Sequence, residues 1–301
     1  MHFLRHSALG FRYSIFLLCL SGAAYSIPAI TITLRDTSSI VCSPGRMGPN
    51  ALPVPYVNRT TVGKEWILEA AAQFAWDPFG DTTINPWFSL FIPLRGIAGF
   101  MIFSRPVEHF STSPAMLDKR NAASLRGTTP GDLYFQTMIQ ILEQRRFLTD
   151  LAFHLTLKTT TGKGLGNARH INAPAYYFNL TGAKSMIAGP TTITYAATVS
   201  FIAWQAAINA QDDAMGYGGK VTVGLRQWLF APEIAGYIGW IENGDRPCIA
   251  RLRVDRRLSN DLGVYGRMEL GISDQPPARI EIGMSAAVDH FVKKWFGIRA
   301  E

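Results

Sequence analysis

The chain has 301 residues, of which 48% are hydrophobic and only 17% charged, with a formal net charge of +7. So low a charged fraction is unusual for a soluble domain and suits a surface that meets lipid, and no Lys/Arg-rich run points to nucleic acid. Three cysteines, at positions 19, 42 and 248, make no disulfide framework, and the absence of HExxH and CxxC spacings leaves no metal site and implies no cofactor.

Residues 1–26 read as an export signal. Arg5, His6 and Arg12 form a basic start, an apolar stretch runs from Tyr13 to Leu20, and Ala24-Tyr25-Ser26 places small residues at the two positions inspected by a signal peptidase. The apolar stretch is well short of the roughly 20 residues of a spanning helix. Cys19 is a poor lipidation site because bulky Leu17 and Leu18 precede it. Cleavage after Ser26 removes two arginines and no acid, leaving 27 basic against 22 acidic residues and two cysteines, Cys42 and Cys248, expected as free thiols.

Residues 27–63 carry Pro28, Pro44, Pro49, Pro53 and Pro55 without a sustained period, and are expected to form an irregular N-terminal periplasmic arm with a short strand at 30–34. A barrel domain is expected over 64–291, followed by a C-terminal tail, 292–301. Within it apolar and polar residues alternate in twelve runs: 65–76, 83–93, 97–105, 132–143, 146–159, 173–186, 191–206, 214–228, 232–242, 246–257, 262–273 and 278–291. In the clearest, Leu133, Phe135, Thr137, Ile139 and Ile141 alternate with Asp132, Tyr134, Gln136, Met138 and Gln140, which is the period of a strand with one apolar face.

Connections after the even runs are mostly tight, whereas those after the odd runs include both long ones, 106–131 and 160–172. That asymmetry is the habit of outer-membrane barrels, and an even strand count puts both chain ends on the short-turn side. Phe135, Ile139, Phe153, Leu155, Leu252 and Ile282 are expected to face lipid, with Gln136, Gln140, His154, Arg253 and Glu281 inward. Trp66, Trp76, Trp87, Tyr176, Tyr177, Trp228, Trp240 and Phe291 gather near strand ends, as interfacial girdles do. A soluble sandwich or lipocalin-like barrel would show the same alternation with its faces exchanged. The signal, the unequal loops and the fixed Arg/Glu pattern favour an all-β, antiparallel up-and-down transmembrane β-barrel of twelve strands.

Gly131-Asp132-Leu133-Tyr134-Phe135, Asp150-Leu151-Ala152-Phe153, Leu157-Lys158-Thr159-Thr160 and Asn172-Ala173-Pro174-Ala175-Tyr176-Tyr177-Phe178 resemble a group of uncharacterised outer-membrane β-barrel proteins of Gram-negative bacteria. The resemblance spans residues 60–290 and implies fold and an outer-membrane location, with no activity attached.

The densest constellation is a charge ladder expected in the lumen: Arg251, Arg253, Asp255, Arg267, Glu269, Arg279 and Glu281, with Lys220 and Arg226 adding positive charge. Opposite charges on adjacent strands cross-link a small barrel. Alternatively, an arginine-lined channel draws in small anionic solutes. The rival class is a lipid-modifying, phospholipase-like enzyme using His109 with Ser111 or Ser113, but no third residue or oxyanion motif accompanies them, so no catalytic residue is assigned. Gly162-Lys163-Gly164-Leu165-Gly166 lacks the Ser/Thr and the earlier glycine of a phosphate loop, and reads as a flexible external loop. The sequence therefore points to an outer-membrane, porin-like protein, structural or a narrow channel, with lipid and small anionic solutes as partners. The alternatives are the enzyme and a secreted ligand-binding barrel.

Overall fold

A computed structural model of the chain describes residues 39–94, 96–206, 212–275 and 278–288. The expected export signal, the strand at 30–34, Phe291 and the tail 292–301 lie outside the described residues. Among the described residues there are fourteen strands: β1(Ile67–Trp76), β2(Thr82–Pro93), β3(Ala98–Ser104), β4(Val107–Ser111), β5(Arg126–Pro130), β6(Leu133–Leu142), β7(Asp150–Lys158), β8(Ala175–Ala188), β9(Thr191–Trp204), β10(Asp213–Leu225), β11(Trp228–Gly239), β12(Cys248–Arg257), β13(Leu262–Ser273) and β14(Ala278–Ala287).

Twelve of them, β1–β3 and β6–β14, form the wall of a closed antiparallel barrel. Closure is made by β1, which pairs on one side with β2 and on the other with β14, from Ile67 opposite Ala287 to Trp76 opposite Ala278. Such a ring leaves no open edge. Each wall strand falls on one of the twelve sequence runs. Strand starts shift by up to four residues: β11 begins at Trp228 rather than at 232, and in the run from Arg146 the strand begins only at Asp150. There Arg145 N–H donates to Leu148 O at 3.2 Å and Gln144 N–H donates to Asp150 Oδ1 at 2.8 Å, so those residues are spent on the turn.

The faces are inverted relative to a soluble barrel. On β14, Ile280, Ile282 and Met284 are 41%, 70% and 44% exposed, whereas Arg279 and Glu281 between them are 7% and 1% exposed. Ile139, Leu155 and Leu252 are likewise outward, and His154 is buried. This excludes the sandwich and lipocalin readings, in which the apolar set would be the packed one. The aromatic assignment needs correction: Trp87 and Tyr177 point inward and are buried. Trp87 shares the parity of Thr83, Asn85 and Ser89 on β2, all of which are inward.

The long connection after β3 is structured. β4 extends the ladder of β2 beyond the wall, pairing Ser111, Phe110 and His109 with Thr82, Thr83 and Ile84, and β5 pairs with β4. Between them a short helix, α1(Pro114–Arg120), starts with proline after Ser113, whose Oγ accepts from Met116 N–H at 3.2 Å, and stops at left-handed Asn121.

The arm is where the expectation fails most clearly. Rather than standing off in the periplasm, its described part enters at the long-loop end and descends through the lumen. Ser39 meets Asn121, Gly45 N–H donates to Gly244 O at 2.9 Å and Gly48 N–H donates to Ala168 O at 2.7 Å, all in connections of that end. Lower down, Val62 N–H donates to Gln140 Oε1 at 3.2 Å, beside the short-turn end where β1 begins. The start of β1 and the end of β14 do lie opposite the long loops. The first described residues of the arm do not.

Candidate functional site: the lumen and the arm that fills it

Strand register creates the charge ladder. Glu233, Arg251, Glu269 and Arg279 stand opposite one another in a row across β11–β14, so signs alternate strictly. Arg251 reaches Glu233 at 2.5 Å and Glu269 at 3.4 Å, and Arg279 reaches Glu269 at 3.4 Å. A second row places Arg253 directly opposite Arg267, a repulsive pairing that both side chains turn away from. Arg253 goes to Asp255 and Glu69, each at 2.7 Å, and Arg267 goes to Glu281 at 3.2 Å. The four arginines therefore all face carboxylates. Lys220 gives its ammonium to the carbonyl of Val57 in the arm. Arg226 does not belong with them: β10 ends at Leu225, and Arg226 is an exposed turn residue at φ 53°, as a two-residue hairpin turn requires.

The arm rests on this wall through its backbone oxygens. Arg279 Nη2 donates to Pro49 O and Asn50 Oδ1, both at 2.9 Å, and Tyr237 O–H donates to Leu52 O at 3.0 Å. Arg251 donates to Val54 O at 2.6 Å and Pro55 O at 3.0 Å. The Tyr56 ring lies 4.2 Å from the Arg251 guanidinium and 4.5 Å from that of Arg267. Met47, Ala51, Leu52 and Val54 pack with Ile202, Trp204 and Tyr237 in a buried cluster. A cavity of about 90 Å³ lies beside Tyr56, lined by Trp87, Phe103, Arg105, Tyr134 and Gln136 among others. That is room for a few waters.

A second charged cluster, missed from the sequence, ties the long connections over the mouth. Asp81 holds both Arg120, at 2.8 Å, and Arg169. Glu108 meets Arg169 at 3.4 Å and accepts from Asn50 of the arm at 2.5 Å. Asp132 holds Lys158 at 2.9 Å, His170 at 3.4 Å and the Gly162 N–H at 2.8 Å. Burial alone would raise the Asp132 carboxyl, but His170 and Lys158 outweigh it and hold the carboxyl below its usual range. Burial also lowers Arg120, against the pull of Asp81. Asn50 links the two clusters: it donates to Asn85, which donates to Gln73, which donates in turn to Glu281.

The Gly162–Gly166 stretch is fastened rather than loose, since Gly162 N–H is held by Asp132 and Thr129 donates to Lys163 O. His109 Nδ1 contacts Thr128 Oγ1 at 2.7 Å, and Ser113 caps α1 and donates to Phe79 O at 2.6 Å. Ser111 is a ladder residue paired with Thr82 and Arg126. Neither serine is thereby aligned with the imidazole as a nucleophile needs. Burial pushes the Cys42 thiol up to about 11, so it stays protonated near neutrality, and Cys42 and Cys248 are both free thiols.

No protein-family model and no curated protein matches the chain. Among solved structures it is similar to the COG4313 outer membrane channel from Pseudomonas putida F1, at 12% identity and a TM-score of 0.55, over 79% of this chain and 97% of that one. The KdgM porin in complex with disordered oligogalacturonate is also similar, at 8% identity and a TM-score of 0.43, over 72% and 98% of the two chains. So is the transport unit of the autotransporter AIDA-I from Escherichia coli, at 9% and 0.45, over 79% and 93%. The fold is that of outer-membrane β-barrels, channels among them.

Proposed function

We propose that the chain, exported by its signal and cut after Ser26, resides in the bacterial outer membrane as a narrow channel closed by its own arm, with no catalytic chemistry. An apolar band around a wall that buries paired charges is the physical requirement of a lipid-facing barrel. The observation that carries the channel reading is the seating of residues 49–57, which fill the space a solute would use and are held there by side chains of the wall. Small polar solutes, anionic ones included, pass when the arm yields. Because the ladder arginines are paired with carboxylates, the open pore discriminates weakly between anions and cations.

Planar-bilayer recordings test this with the full chain and with a variant lacking residues 44–60, its folding checked by gel migration with and without heating. The full chain should be closed for most of the record and the variant should conduct steadily, with a permeability ratio near unity. A folded variant that never conducts would make the protein a purely structural barrel.

A further inference from the structure

The backbone of the arm and its seat are complementary in one direction, while the side chains of Asn50 and Tyr56 donate back, to Asn85, Glu108 and Glu269. From Pro49 to Val57 the arm offers oxygens, and the wall answers with N–H and O–H donors from Arg279, Tyr237, Arg251 and Lys220. Pro49, Pro53 and Pro55 have no N–H to satisfy, and between Ile40 and Lys64 the arm has no Asp or Glu. Arg251 and Arg279 have carboxylate partners of their own, so what they extend toward the arm is spare hydrogen-bonding capacity rather than unbalanced charge. A polyanion in the same place would stand close to Glu233 and Glu269 and add like charge at low dielectric. A neutral chain with a carbonyl at every residue meets no such penalty, and proline keeps it extended before it binds. One side chain sets the register: Tyr56 lies against the guanidinium groups of both Arg251 and Arg267, and its hydroxyl accepts from Arg267 at 2.9 Å.

From this we infer that the lumen is a binding track for an extended, uncharged, proline-containing peptide with an aromatic residue after a Pro-x-Pro step, and that Pro53-Val54-Pro55-Tyr56 is its resident occupant. The inference rests on the channel reading, because an outside peptide reaches the track only when the arm leaves it.

The test uses the full chain, folded first, with a protease site inserted at exposed Gly63, where a side chain would meet open space. Cutting there turns the arm into a separable peptide. The probe is a fluorescent, end-capped peptide of residues 48–58, followed by anisotropy. It should bind the cut barrel saturably, bind with about tenfold or more lower affinity when it carries Tyr56→Ala, and resist competition by hexaglutamate. An arm that stays on the cut barrel through dilution and exchanges only slowly with the probe also supports the track. Equal competition by hexaglutamate, or an empty barrel that ignores the probe, overturns it. The channel reading is judged separately, by whether conductance appears as the cut arm departs.

Discussion

Strand β1 in the wall and residues 49–57 of the arm inside the lumen satisfy their backbones by opposite means. In β1 the backbone is matched on both sides by β2 and β14, so its side chains are free to be sorted by parity into lipid and lumen. In the arm the oxygens of Pro49, Leu52, Val54, Pro55 and Val57 are matched by side chains of strands far away in sequence. The backbone ladder of the wall is therefore complete without the arm, whereas Arg251, Arg279 and Lys220 gain further hydrogen bonds from it. Damage to the wall's charge rows should be felt globally, and damage to the arm locally.

The strongest way to break that contrast is at Arg251, which serves both regions. Arg251→Met strands Glu233, leaves Glu269 to Arg279 and frees two arm carbonyls, and should cost about 3–5 kcal/mol in urea unfolding from lipid vesicles. Close behind is Asp81→Asn, which removes the charge shared by Arg120 and Arg169 and should cost about 3 kcal/mol. Limited proteolysis should then cut within 106–131 and 160–172 while the wall stays intact. Leu52→Ala sharpens the contrast from the other side. Leu52 is 2% exposed, and truncating it should weaken arm docking by about 2–4 kcal/mol. Hydrogen exchange should accelerate over 40–62 and stay unchanged in β1 and β14.

The smallest effect is a pH dependence at the mouth. Because Asp132 is held below its usual range, its pairing stabilises the fold fully above about pH 4, where the unfolded carboxyl is ionised. That contribution is lost as pH falls through the depressed folded value. Proteolysis of the connection 160–172 should therefore rise on acidification below about pH 4, and Asp132→Asn should flatten the dependence.

Most of the wall was legible because closure imposes one rule, apolar outside and polar inside, on every strand at once. The alternation in Leu133–Leu142 and the alternate charges of β12–β14 follow from it, and the rows of opposed charge follow from register. Parity places Trp87 inside, against the girdle that its position near a strand end suggests. The arm was not legible by period, since an irregular chain held by its carbonyls leaves no repeat in its side chains. Its signals were compositional: the prolines at 49, 53 and 55, the apolar Met47, Leu52, Val54 and Val57, and the lack of any acid from 40 to 64. The mouth cluster escaped because Asp81, Glu108, Arg120 and Arg169 come from four separate connections or short elements. The hairpin of β4 and β5 escaped because each strand has five residues and a helix lies between them.

Threading of the arm into the barrel from the long-loop end can be read by thiol labelling. In a background with Cys42 and Cys248 replaced by serine, single cysteines at Ser39, at Lys163 in a long connection and at Gln227 in a short turn are exposed to a membrane-impermeant maleimide on intact cells. Positions 39 and 163 should label together, before permeabilisation, and 227 only after it. Position 39 labelling with 227 instead would place the start of the arm at the short-turn end and contradict the threading.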